Sequence, residues 1–121
     1  MEKDLIIKEL TKEEFDVLVI NIFYYLGYSI DKSNSTKFEY YLEKEELQFI
    51  LKIDFKKSRE FNTLEDILEF EKEVLNTKSW KGYFMSNTDF EKSVYDQLEI
   101  FKDRVSLFNH SESLRLGLRS I

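Results

Sequence analysis

The sequence predicts an α/β domain, a mixed β-sheet with helices on both faces. Three observations carry that reading. Two segments repeat apolar residues at helical spacing behind capping residues. Five short runs alternate or concentrate apolar residues as strands do, and two of them are joined by four charged residues, as in a hairpin. The later strands are separated by helical segments, which demands right-handed crossovers and parallel pairing. With 121 residues, 42% of them hydrophobic and 16% aromatic, the chain can fill one core, and a single domain over 1–121 is expected.

The first helix is expected from Thr11 to about Leu26. Thr11 and Glu14 form a capping-box pattern, and Phe15, Leu18, Val19, Ile22 and Leu26 make the buried stripe. Gly27 follows as the residue that ends it in a left-handed conformation. Tyr28–Ile30 starts an extended run, and 32–37 (KSNSTK) reads as a loop. In 37–42 (KFEYYL), Phe38, Tyr40 and Leu42 fall on one side. Glu43-Lys44-Glu45-Glu46 forms the turn, and Leu47–Phe55 returns with Phe49, Leu51, Ile53 and Phe55 on its apolar side. A second helix runs from Thr63 to about Leu75, with Leu64, Ile67, Leu68 and Leu75 on one side. Lys81–Met85 is a short strand. Ser86-Asn87-Thr88 leads into a third helix, where Phe90, Val94 and Leu98 recur at helical spacing. Val105–Phe108 is the last strand, and Ser111–Leu118 a closing turn of helix.

Composition narrows the chemistry. There is no cysteine, so disulfides, thiol catalysis and sulfur metal sites are excluded. No run approaches the ~20 apolar residues of a membrane span, and the start, MEKDLIIKEL, lacks signal-peptide character. A cytoplasmic protein without a membrane partner is the expectation. The net charge of −6 repels phosphate on average, so nucleic-acid binding needs a local basic patch. His110, the single histidine, reads as a solvated loop residue.

The phrase LTKEEFDVLVINIFYYLGYSI resembles the opening of Mrr-type restriction endonuclease domains. The matching residues are Glu14-Phe15-Asp16 and Leu26-Gly27-Tyr28. IDFKKSREFNTLEDILEF is similar to the family's V-Q-x-K strand, loop and helix, and KGYFMSNTDFEKSVYD and RVSLFNHSESLRLGL to the elements that follow. The resemblance spans roughly residues 8–118 in the family's order. It implies the restriction-endonuclease-like form of the α/β fold (the PD-(D/E)xK superfamily), a DNA substrate and a Mg²⁺ or Mn²⁺ cofactor. By the same resemblance Asp54 and Lys56 fall on the Q/E-x-K residues, and Asp16 on a helix acid that supports the metal.

The residues allow this chemistry. Phosphodiester hydrolysis needs a divalent cation held by carboxylates, and a lysine can orient the nucleophile or offset phosphate charge. In a strand, Asp54 and Lys56 leave the same face. The family's hairpin acid has no Gly-x-Asp counterpart here; Glu39 is the substitute, with Asp31 further back. Thus Asp54, Lys56, Glu39 and Asp16 are the expected catalytic set, the three acids the metal ligands. Lys52, Lys57 and Arg59 form the expected phosphate-binding patch, with Lys78 and Lys81 as additions and Trp80 as a base-stacking candidate.

Each choice has a plainer alternative: the D-x-K pair and Glu39 as a solvated strand face, Asp16 as a helix-dipole residue, the lysines as ordinary surface charge. Register bears on this. A turn centred on Lys44-Glu45 pairs Phe38 with Leu51, Tyr40 with Phe49 and Leu42 with Leu47. Glu39 then lies four residues from Asp54, ~13 Å along the strand, too far to share an ion. Three readings follow. One is a metal-dependent DNA endonuclease acting as a homodimer. The second is an inactive member of the same fold that binds DNA or a protein partner as a regulatory subunit, and the third an unrelated α/β domain with the same pattern.

Overall fold

A computed structural model describes residues 10–58, 60–109 and 111–112. Among the described residues the elements run α1 (Lys12–Tyr25), β1 (Ser29–Lys32), β2 (Tyr40–Lys44), β3 (Leu47–Asp54), α2 (Leu64–Asn76), β4 (Lys81–Ser86), α3 (Lys92–Asp96), α4 (Leu98–Phe101) and β5 (Val105–Phe108). The strands lie in sequence order in one sheet. β1, β2 and β3 pair antiparallel, and β3, β4 and β5 pair parallel. Among the described residues no helix is long and apolar enough to cross a membrane.

Both long helices begin where their caps dictate. Thr11 and Glu14 close a reciprocal capping box on α1, and Thr63 and Asp66 close another on α2. Gly27, at φ +92°, turns the chain out of α1. α1 buries Phe15, Val19, Ile22 and Phe23 against Leu42, Phe49, Leu51 and Ile53. α2 buries Ile67, Phe70 and Val74 against Ile50 and Phe84 on the other face, where Val94 and Phe101 complete the cluster. β3 therefore sends odd-numbered residues to α1 and even-numbered ones to α2, so the sheet is covered on both faces.

Several details differ from expectation. Leu75 is 54% exposed, and Phe70 and Val74 take the core positions, because α2 rotates its buried stripe toward them. The third helix is two short ones. Phe90 and Val94 are buried as expected, but Phe101 rather than Leu98 closes the core. The closing turn at Ser111–Leu118 lies almost wholly outside the described residues, as does His110.

The hairpin differs most. Its turn is Glu45-Glu46, both at positive φ (53° and 68°), not Lys44-Glu45. That is the two-residue turn whose twist suits a hairpin. Tyr40 then pairs with Leu51, and Leu42 with Phe49. β2 starts only at Tyr40, and the chain twists before it. Phe38 is buried in the α2 cluster, edge-to-face with Tyr41 at 5.1 Å, instead of joining Tyr40 and Leu42.

Candidate functional site

Asp54 ends β3, and Lys56 lies two residues on. Lys56 Nζ stands 3.6 Å from Asp54 Oδ2, an ion pair just beyond hydrogen-bonding distance. Asp54 Oδ2 is buried and takes no hydrogen bond. Burial pushes the Asp54 carboxyl above its ordinary pKa; Lys56 and Lys52 pull it down and Asp66 pushes it up. The carboxyl lines a cavity of about 220 Å³ with Lys52, Asp66 and Glu69 on the α2 face. Lys56 lines a second cavity, about 470 Å³, with Thr11, Lys12, Lys57 and Asn87. The D-x-K pair thus forms the wall between two openings.

Glu39 sits at the bend before β2. Its Oε1 accepts the Ile53 N–H at 2.6 Å, and its Oε2 lies 4.0 Å from Lys52 Nζ. The carboxylate thereby takes the bond that β2 would have supplied had the strand started earlier. The Glu39 N–H donates to the Leu51 carbonyl at 2.9 Å, so Glu39 and Tyr40 both face Leu51, as in a bulge, and Glu39 lies three positions from Asp54, ~10 Å along the strand rather than ~13 Å. The side chain bridges part of that gap, reaching the peptide next to Asp54. Burial also raises the Glu39 pKa, against the Ile53 hydrogen bond and Lys52, which lower it; Asp16 adds a smaller upward push. We expect Glu39→Ala to strand the Ile53 N–H and cost about 1–3 kcal/mol in denaturant unfolding. Glu39→Gln, which keeps an acceptor oxygen, should stay near wild type.

Asp16 departs from the expected set. It is carried by α1, on the face that receives Phe49, Leu51 and Ile53, whereas Asp54 points to the α2 face. Its Oδ1 is buried without a hydrogen bond, and burial raises its pKa. Among the described residues no three acidic or imidazole side chains cluster as metal ligands, so Asp54, Glu39 and Asp16 do not form the expected three-acid cage. Asp16 nonetheless stays within electrostatic reach of Glu39, whose pKa it raises. Asp31 lies on edge strand β1 opposite Tyr41, two strands from β3.

A family profile described as "Restriction endonuclease", that of the Mrr catalytic domain, matches residues 7–116. The chain belongs to the Mrr-type restriction endonuclease family. No curated protein sequence matches it. Among solved structures, a protein of unknown function, AF1548, superimposes with a TM-score of 0.71 at 12% identity, over 88% of this chain and 65% of that one. The DNA modification-dependent restriction endonuclease AspBHI gives 0.72 at 8% identity, over 100% and 36%. The MspJI restriction endonuclease, solved with a 27-mer oligonucleotide, gives 0.59 at 9% identity, over 86% and 26%. At these identities the likeness is one of fold. The chain spans less than two thirds of each of these proteins.

In this Mrr-type domain the basic residues divide by location. Lys52 and Lys57 stand beside the D-x-K pair. Lys81 is opposite Phe49 at the start of β4, five residues and ~17 Å from the Asp54–Ser86 end. Trp80, edge-on to Phe49 at 5.6 Å, shares that far end, and Lys78 precedes it. These three do not join the patch. Arg59 lies outside the described residues. Lys12, Asp66 and Asn87 reach the site without a signal in the sequence, because only the packing of α1, α2 and β4 around the end of β3 brings them there.

Proposed function

We propose that this domain is a metal-dependent DNA endonuclease in which Asp54 and Glu39 hold a Mg²⁺ or Mn²⁺ ion and Lys56 acts on the phosphate. The observation that carries this reading is Asp54 Oδ2, a buried carboxylate oxygen with no hydrogen bond and an ammonium 3.6 Å away. Such an oxygen is expensive to bury unless something else satisfies it. Hard carboxylate donors suit Mg²⁺, which binds through one or two carboxylates and otherwise keeps water and phosphate oxygens. Two acids therefore suffice, and Asp16 acts on the charge of Glu39. A bound ion supplies Lewis-acid stabilisation of the phosphate and a more acidic water. Lys56 offsets charge that develops on the phosphate, and Lys52 and Lys57 take neighbouring backbone phosphates.

The likeness to AspBHI and MspJI supports a DNA substrate. A duplex has two strands and one domain carries one such site, so double-strand cutting calls for a homodimer. Supercoiled plasmid incubated with the protein and Mg²⁺ or Mn²⁺ should be nicked, and Lys56→Ala should stop it. Nicking at the wild-type rate by Lys56→Ala would remove Lys56 from the chemistry. Calorimetric titration with Mn²⁺ separates this from the inactive regulatory subunit, which should show no saturable binding.

A further inference from the structure

We infer that Asn87 is a positioning residue for Lys56, holding its backbone through a two-bond amide clamp; this rests on the reading of Lys56 given above. The parallel ladder between β3 and β4 ends at Asp54 opposite Ser86. The Asn87 N–H still donates to the Asp54 carbonyl at 3.2 Å. Beyond that point the main chains part, and the Asn87 side chain takes over. The Lys56 N–H donates to Asn87 Oδ1 at 2.8 Å, and Asn87 Nδ2 donates to the Lys56 carbonyl at 3.1 Å. A side-chain amide carries the same donor and acceptor as a peptide group, so Asn87 extends the ladder by one step. Only one orientation of the amide satisfies both bonds.

The clamp is itself anchored. Asn87 is 4% exposed, and its neighbours Ser86 and Thr88 are buried with it. Buried Asn62 donates from Nδ2 to Ser86 Oγ at 2.7 Å, and the Thr88 N–H donates to the same oxygen at 3.1 Å. Lys56 itself lies outside any strand. Without the clamp its backbone would have no ladder to fix it, and the ammonium would lose its place beside Asp54. Aspartate keeps the acceptor but not the donor, serine is too short for both bonds, and alanine supplies neither. A displacement of ~1 Å in a reacting group can cost ~10²-fold in rate.

The test compares Asn87→Ala, Asn87→Ser and Lys56→Ala in plasmid nicking with Mg²⁺, alongside melting temperature and amide hydrogen exchange. We expect both Asn87 variants to lose ~10–100-fold in kcat with KM within about twofold. The Lys56 amide should exchange at least ~10-fold faster, with the Ile53 and Met85 amides unchanged. If Lys56→Ala is inactive while Asn87→Ala and Asn87→Ser cut at the wild-type rate, the clamp has no catalytic role and the reading of Lys56 survives. If Lys56→Ala still cuts, both fall. A fast-exchanging Lys56 amide in the wild-type protein would overturn the clamp even if neither Asn87 variant folded.

Discussion

Asp54→Asn should abolish DNA nicking, by ~10³-fold or more, and at the same time make the protein more stable. Both effects come from one carboxylate. Asp54 is largely buried, its Oδ2 takes no hydrogen bond, and its pKa is raised because desolvation outweighs the help of Lys56 and Lys52. The folded state thus holds the Asp54 proton to higher pH than the unfolded state does. Stability from this group is fully present below the ordinary aspartate pKa and is lost as pH rises through the raised one. At neutral pH the ionised carboxylate opposes folding. Asparagine removes that charge at nearly constant shape, for a gain of about 0.5–2 kcal/mol. Melting curves from acid to neutral pH should show the variant pulling ahead of wild type as pH rises. Mg²⁺ should narrow the difference, since an ion that binds only the folded wild type stabilises it. A lower melting temperature for Asp54→Asn at neutral pH would mean that the carboxylate is satisfied by its lysines and is not held for an ion.

Gly82→Ala should cost about 1–3 kcal/mol and roughly 4–10 °C in melting temperature. Gly82 lies on β4 under α2. A Cβ there would stand 2.6 Å from Val74 Cγ2 and 2.7 and 2.8 Å from two carbons of the Phe70 ring. Neither neighbour can yield. Val74 is branched at Cβ and buried, and the Phe70 ring packs edge-to-face on Phe84 at 5.6 Å. Nor can the strand retreat readily, because the Gly82 N–H donates to the Arg104 carbonyl at 2.8 Å. The glycine lets helix and sheet approach closely. Val74→Ala in the Gly82→Ala background should restore part of the loss; no recovery would place the strain elsewhere.

The site divides into what local chemistry specifies and what it does not. Asp54 and Lys56 were legible as a pair because strand alternation alone sets both on one face. Asp16 was joined to them by the resemblance alone, since helical periodicity says which face of α1 is buried but not which face of the sheet α1 covers. The hairpin failed for a related reason. Registers that differ by two residues keep every side chain on its own face, so alternation cannot choose between a turn at Lys44-Glu45 and one at Glu45-Glu46. A pair of glutamates at positive φ carries none of the Asn-Gly signal that would have marked the turn.

By itself the sequence determined the caps of α1 and α2, the end of α1 at Gly27, the order of strands and helices, and the family. These depend on contacts between residues a few positions apart, or on ordered patterns along the chain. The tertiary structure alone decided the two-residue shift of β2, the bend that turns Phe38 to the α2 face, and the carboxylate of Glu39 on the Ile53 amide. It alone brought Asn87, 31 residues away, onto Lys56. Such pairings are fixed by how two covered faces of one sheet pack together, and no stretch of sequence holds both partners.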